Sequence, residues 1–319
     1  MRCLIAILLI LLIFGLPVEA LAQESAEGVI DGQVINGTEG GGVSEIEVTL
    51  ITYVNDVMAE TRTAGTDSEG RFRFDDVAME HEYLVSAKYM EVDYYYPVAF
   101  ESGETATYVE VGVCDATASD ESISIGLAHT VINVEEESLL VTEVFWLVND
   151  GDRTYVGTDG VLVFTLPEGA TDFEAPQEVM MDYRFLGGNR LAYLVPFPPG
   201  ERQLVFAYRL AKKDSAEFTT SLAVDYPTEN LELMVGGEDI EVATNQLAPA
   251  EPVITNTGER FIHFRGENLA SGTVINIYFS NLSGDGGLFF VIPWVIITIV
   301  IVGIAVYLLK KGRRGKTSE

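Results

Sequence analysis

The sequence predicts an all-β fold, two consecutive β-sandwich domains, with one transmembrane helix at the C-terminal end. Three observations predict it. From Gly28 to about Leu282 the chain is a succession of short apolar and alternating runs broken by turn signals, the pattern of buried and half-buried strands. From Leu288 to Leu309 it then runs twenty-two residues without a charge and meets Lys310, Lys311, Arg313, Arg314 and Lys316 at once. As a helix rising about 1.5 Å per residue this run spans roughly 33 Å, enough for a hydrocarbon core of about 30 Å. At the other end Arg2 precedes an apolar stretch from Leu4 to Leu16, the breaker Pro17 and the small-residue pattern Ala20-Leu21-Ala22, the layout of a secretory signal peptide cleaved before Gln23.

Taken in order, residues 1–22 are the signal peptide; a retained N-terminal anchor is the alternative, opposed by the shortness of the thirteen-residue apolar run. Residues 23–118 form the first sandwich, 119–280 the second, 281–287 a glycine-bearing linker, 288–309 the span and 310–319 a basic cytoplasmic tail. Bases crowd only the C-terminal flank of the span, the nearest on its other side being Arg265. The positive-inside bias therefore puts the tail in the cytoplasm and both sandwiches outside, as a single-pass type I protein of the plasma membrane. A buried helix of a soluble domain competes with the span, but such helices are seldom so long and uninterrupted.

The chain carries 19 bases against 49 acids, a net charge of −30. Setting aside Arg2, the five tail bases, Glu19 and Glu319 leaves thirteen bases and forty-seven acids, −34 over the exported part. Such a surface repels phosphate backbones and excludes nucleic-acid binding there. It attracts cations or basic partners, or serves solubility alone. The tail bases hold anionic lipid headgroups at about 1 kcal/mol each. Cys3 leaves with the signal peptide and Cys114 stands alone, so the mature chain forms no internal disulfide. Its place in a valine-rich strand pattern makes Cys114 a buried small apolar residue.

In the first domain Val29–Ile35, the alternation of Ile46, Val48 and Leu50, and Thr61–Thr66 read as strands. Asp67-Ser68-Glu69-Gly70 follows as a turn and Arg71-Phe72-Arg73-Phe74 alternates beyond it, which reads as a hairpin. Tyr83, Val85, Ala87 and Tyr89, then Tyr94–Phe100, then Thr107, Val109, Val111 and Val113 complete about seven strands with no amphipathic helical run. The order Ile30-Asp31-Gly32-Gln33-Val34, Gly-rich turn, Val48-Thr49-Leu50, Thr66-Asp67-Ser68-Glu69-Gly70-Arg71-Phe72-Arg73-Phe74 and Tyr83-Leu84-Val85 resembles the carboxypeptidase regulatory-like domain. The resemblance covers about ninety residues. It implies a prealbumin-like, transthyretin-like β-sandwich with a folding or binding duty and no reaction. Related pilin-type sandwiches carry a Lys–Asn cross-link from an early strand; here the lysine, Lys88, is late, and no cross-link is expected.

Asp115–Ser124 reads as a short acidic connector. In the second domain Leu140–Val148 is apolar on both faces, with Phe145 and Trp146 adding core volume. Asn149-Asp150-Gly151-Asp152 is the strongest short hairpin signal. Val161–Leu166, Gln203–Leu210 behind the stiff Pro196–Gly200 turn, Phe218–Val224, Leu231–Val235, Arg260–Phe264 and Thr273–Phe279 continue the strands. One larger sandwich is expected, a pair of small ones being the competing parse.

Chemistry is sparse. His81, His129 and His263 are scattered, no H-E-x-x-H or G-x-S-x-G occurs, and chance pairs of carboxylates abound in so acidic a chain. No catalytic residues and no cofactor are assigned. Calcium is the best ligand on chemistry, with Asp67, Glu69, Asp150 and Asp152 as candidate oxygen ligands, although neither loop matches the calcium-loop pattern and turn geometry explains both. Tyr94, Tyr95 and Tyr96 form a candidate aromatic contact surface for a glycan or protein, with Tyr95 opposite its neighbours. Asn36-Gly37-Thr38 and Asn281-Leu282-Ser283 match the glycan acceptor pattern. The expected role is a non-enzymatic envelope protein whose sandwiches bind or scaffold an extracytoplasmic protein or glycan. An accessory subunit of an envelope enzyme or assembly system is the alternative, and a hydrolase with an unrecognised site a third.

Overall fold

A computed structural model describes residues 27–212, 216–237, 239–256 and 258–282. The signal peptide, the span and the basic tail expected at 1–22, 288–309 and 310–319 lie outside these residues, as does most of the linker. Among the described residues no helix is long and apolar enough to cross a membrane. The described chain is all-β: strands in several sheets, with one short 3-10 turn at Gln177–Asp182. Contacts divide it into two compact units.

The first unit takes in residues up to Ile35, Gly42–Lys88 and Asp93–Val111. Its strands are β1 (Glu27–Asn36), β2 (Glu47–Val54), β3 (Val57–Gly65), β4 (Arg71–Ala78), β5 (Glu82–Tyr89), β6 (Val92–Val98) and β7 (Ala106–Val113). They form a three-stranded sheet, β4-β1-β7, and a four-stranded sheet, β3-β2-β5-β6. Alternation fixes what each sheet buries. Ile30 and Val34 of β1, Phe72 and Phe74 of β4, and Val109, Val111 and Val113 of β7 are buried, as are Val48, Leu50, Tyr83, Val85 and Ala87 of the other sheet. Gly32 makes room for Phe72, because a Cβ there would stand 2.2 Å from that ring.

The expected hairpin at Asp67–Gly70 is corrected: β3 pairs with β2 and β4 pairs with β1. The turn chemistry is as expected, with Gly70 at φ 78° and the Asp67 carboxylate accepting from the amides of Glu69 and Arg71 at 2.8 Å. The flanking amides bond elsewhere, Thr66 N–H to Ile46 O and Val34 N–H to Gly70 O. The turn therefore carries the chain from one sheet to the other. The hairpin that does form is β2–β3, closed on Asn55 and Asp56 at φ 51° and 62°, where two left-handed residues match strand twist.

The second unit comprises Asn36–Gly41, Tyr89–Val92 and the chain from Gly112. Its strands are β8 (Ala116–Thr117), β9 (Ile123–Val134), β10 (Ser138–Asn149), β11 (Thr154–Tyr155), β12 (Leu162–Thr165), β13 (Ala170–Glu174), β14 (Tyr183–Gly187), β15 (Arg190–Tyr193), β16 (Gly200–Ala211), β17 (Phe218–Ala223), β18 (Thr228–Gly236), β19 (Glu241–Thr244), β20 (Ala248–Ile254), β21 (Arg260–Leu269) and β22 (Val274–Ser280). A seven-stranded sheet runs β13-β16-β10-β9-β18-β21-β20, beside two three-stranded sheets, β12-β15-β14 and β17-β22-β19, and the short pair β11-β8. The β9–β18 pairing is parallel and its neighbours are antiparallel. One contiguous hydrophobic cluster draws Ile132, Val141, Phe206, Tyr208 and Leu233 from the large sheet and Leu162, Leu191, Ile275 and Ile277 from the smaller ones. A second, smaller cluster of Val131, Met234 and Phe261 lies among residues of opposite parity on β9, β18 and β21, so the large sheet buries apolar groups on both faces.

Edge amides in this unit are met by side chains. Val163 N–H of β12 donates to the Tyr226 hydroxyl at 2.9 Å and Thr165 N–H to the Asp225 carboxylate at 2.7 Å, which spares an edge strand its unpaired donors. At Asn149–Asp152 the expected hairpin is again corrected. The Asn149 carboxamide donates to Arg153 O and Phe197 O and accepts from Gly151 N–H, and β11 then pairs in parallel with β8. The connector at Asp115–Ser124 is held: Asp115 is buried, and its carboxylate accepts from Asn36, Tyr89 and Arg153.

Candidate functional site

The tyrosine triplet lies on β6, and alternation separates its members. Tyr94 is buried, Tyr96 is intermediate and Tyr95 is 56% exposed. Tyr95 belongs to the outward face of the four-stranded sheet. Since Leu50, Thr52, Tyr83 and Val85 point inward, that face carries Ile51 and Tyr53 from β2, Leu84 from β5 and Pro97 from β6. An open groove of about 430 Å³ runs past Tyr53, Glu82, Leu84, Pro97, Val98 and Ala99. Register sets Tyr53 opposite Glu82 on one side and Met58 on the other. Met58 is 61% exposed. The structure thus sets one of the three expected tyrosines on a face with an apolar groove, and the groove's other residues come from strands whose pairing the sequence did not reveal.

The four candidate calcium ligands fall in different units. Asp67 spends one carboxylate oxygen on the Glu69 and Arg71 amides, and these bonds hold its carboxyl below the usual range. Glu69 pairs with the Arg71 guanidinium at 2.5 Å. Asp152 stands 3.8 Å from the Arg153 guanidinium, and Asp150 is exposed at the turn. Among the described residues no group of three or more His, Cys, Asp or Glu is disposed to hold a metal ion. Asn36, the first glycan-acceptor candidate, is buried. Its amide donates to Asp115 at 3.0 Å and to Tyr89, while its oxygen accepts from the amides of Thr38 and Glu39. Those bonds, from Asn36 first, then Tyr89 and Arg153, hold the Asp115 carboxyl below its ordinary range. Cys114 is intermediate in exposure, and burial pushes its thiol up.

Titratable groups sit on the large sheet: Glu143 and Glu232, which the sequence did not single out, and His129 and His263, which it showed only as scattered histidines. Glu143 of β10 lies inside the main core, where its carboxyl accepts from the Thr130 hydroxyl at 2.7 Å and the Tyr208 hydroxyl at 3.0 Å. Burial pushes it up to about 7 against the pull of those bonds. A cavity of about 30 Å³ beside it is lined by Glu143, Thr130 and Asp225 among apolar neighbours, room for one water. On the opposite face His129 packs edge-on to Trp146 with ring centres 5.3 Å apart, and burial lowers it to about 4. Its Nδ1, with Thr142 Oγ1 and Asn133 Nδ2, is buried without a hydrogen-bond partner among the described residues. Glu232, in register with His129, bonds His263 Nε2 and the Arg265 guanidinium. Burial pushes Glu232 up, but those two partners outweigh it and leave the carboxyl below its usual range. Only register brings these groups together, and nothing in local sequence signals it.

No family model matches the chain, and no curated protein matches it. Among solved structures the chain is similar to a protein of Parabacteroides distasonis described provisionally as a protease, at 6% identity and a TM-score of 0.33. The match covers 50% of this chain and 40% of that one, and a likeness of this size decides neither fold nor activity.

Proposed function

We propose that the chain is a single-pass envelope membrane protein that displays two consecutive non-catalytic β-sandwich modules, the first prealbumin-like, outside the plasma membrane and works by binding. The observation that carries this reading is the uncharged run Leu288–Leu309 with five bases directly behind it, following a chain whose described residues are all-β. Stop-transfer helices with a basic cytoplasmic flank have this form. The sandwich reading is supported by the division of seven strands into sheets of three and four, and by the single cluster shared among the sheets of the second unit. The binding reading is supported by an open groove in the first unit and by exposed Tyr95, which shares the outward sheet face with Tyr53, Leu84 and Pro97 but does not line the groove.

Protease added to intact cells tests the topology. The expected result is loss of the strand-rich part without lysis, leaving a short membrane-held fragment; protection until lysis sinks the proposal. Purification in mild detergent then separates two modes of work. A stoichiometric membrane partner favours an accessory subunit, and a soluble protein or glycan favours recognition at the surface.

A further inference from the structure

The groove of the first unit combines three features that bear on what it takes. Its walls are apolar, formed by Leu84, Pro97, Val98 and Ala99, and its one charged lining residue is Glu82. Glu82 and the Tyr53 hydroxyl have no hydrogen-bond or ion-pair partner among the described residues. Register sets Tyr53 directly opposite Glu82 on adjacent strands, so both side chains stand on the same sheet face. The unit around them is strongly acidic: its described residues hold sixteen acids against Arg62, Arg71, Arg73 and Lys88. The three arginines are already engaged, Arg62 by the carbonyls of Asp75 and Asp76, Arg71 by Glu69, and Arg73 by Asp31 and Asp75.

We propose that this groove binds a lysine or arginine side chain presented by a cationic polypeptide. An aliphatic stem lies along Leu84, Pro97 and Ala99 as such stems do on apolar surface, while the cationic head meets the Glu82 carboxylate and the face of Tyr53. The surrounding negative charge draws such a segment in. A purely apolar occupant would strip water from an unpaired carboxylate, an acidic one would be repelled, and a neutral glycan would leave Glu82 unanswered. The inference rests on the binding reading above and is independent of topology.

The test is calorimetric titration of the full chain in detergent with a short blocked peptide alternating Lys and Leu, and with the same peptide carrying Glu for Lys. The Lys peptide binds and the Glu peptide does not. Glu82→Gln weakens the Lys peptide roughly fivefold. Glu110→Gln, an exposed acid on β7 of the other sheet, removes the same charge and changes it less than about twofold. Equal weakening by the two substitutions would reduce the effect to net charge and overturn the proposal, as would no binding of the Lys peptide. Either failure leaves the protease-accessibility result standing, so the two readings fail separately.

Discussion

The two faces of the β9–β10 hairpin each bury a titratable side chain, and the sheet treats them differently. Glu143 points into the main core with both carboxyl oxygens bonded, to Thr130 and Tyr208. His129, next to Thr130 in sequence, points the other way against Trp146, with Nδ1 unpaired. Burial drives both toward their neutral forms, the acid upward to about 7 and the histidine downward to about 4. A neutral group is the lowest-cost state in a low-dielectric site. The difference lies in the remaining polar atoms: the inner face satisfies them, and the outer face leaves those of His129, Asn133 and Thr142 without partners. At Glu143 the inner face meets both carboxyl oxygens, whereas around His129 the outer face leaves three polar atoms unmet, although that same outer face pairs Glu232 with His263 and Arg265.

The largest expected effect breaks the inner side. Tyr208→Ala removes a fully buried ring and one of the two bonds to Glu143, at a cost of about 4 kcal/mol in a denaturant midpoint. Trp146→Ala, on a half-buried residue of the outer face, costs about 1–2 kcal/mol. Equal costs would mean that the outer face is packed as closely as the core.

Two substitutions then use pH. The folded Glu143 holds its proton up to about 7, above the ordinary 4.5, so its contribution to stability is full below 4.5 and lost as pH rises through 7. Glutamine, like the protonated acid, accepts from one hydroxyl and donates to the other, and it cannot ionise. Glu143→Gln is therefore expected to gain about 3 kcal/mol at pH 8 and almost nothing at pH 4.5; a gain equal at both pH values would show that the carboxyl does not titrate there. His129 has the opposite sign. Its folded value of about 4 lies below the ordinary 6.5, so its contribution is present above 6.5 and lost as pH falls through 4. His129→Phe preserves the edge contact with Trp146 and is expected to gain about 2 kcal/mol at pH 5 relative to pH 8, read from guanidinium midpoints. Between about 4.5 and 6.5 the two slopes oppose each other, so the parent protein's own pH profile hides both.

Particular residues explain how much of this was legible. The run Leu140–Val148, apolar on both faces, announced a strand buried on both sides, and β10 is one. The alternation around Phe72, Val85 and Val111 coincides with the buried Phe72, Phe74, Tyr83, Val85, Ala87, Val109, Val111 and Val113, while Tyr89 and Thr107 of the same runs are only half-buried. Both hairpin signals were misleading for one reason. Asp67–Gly70 and Asn149–Asp152 contain real turn chemistry, but local chemistry says where a chain reverses and not which strand it then joins. The short strands β13, β14, β19 and β20 went unread because their residues are mostly exposed or half-buried, and β15 because four residues, three of them buried, are too few to show a period. The Glu143 site was invisible because its partners stand 13 and 65 positions away, and the same holds for a groove built from Tyr53, Glu82 and Pro97. Such sites exist only in register.

The smallest effect compares two threonines buried to the same degree on adjacent strands. Thr130 and Thr142 are each 2% exposed, one on each face of the hairpin. Thr130→Val deletes the donor to Glu143 and leaves a buried carboxyl oxygen unmet, which costs about 1–2 kcal/mol. It also removes a bond that holds the Glu143 value down, so the loss of stability on the alkaline side extends to higher pH. Thr142→Val removes a hydroxyl that has no partner, and the midpoint is expected to stay within about 0.5 kcal/mol or to rise. The two variants share one chemical change at one degree of burial, so any difference between them measures pairing alone. If Thr142→Val costs as much as Thr130→Val, the outer hydroxyl has a partner after all, and the contrast between the two faces disappears.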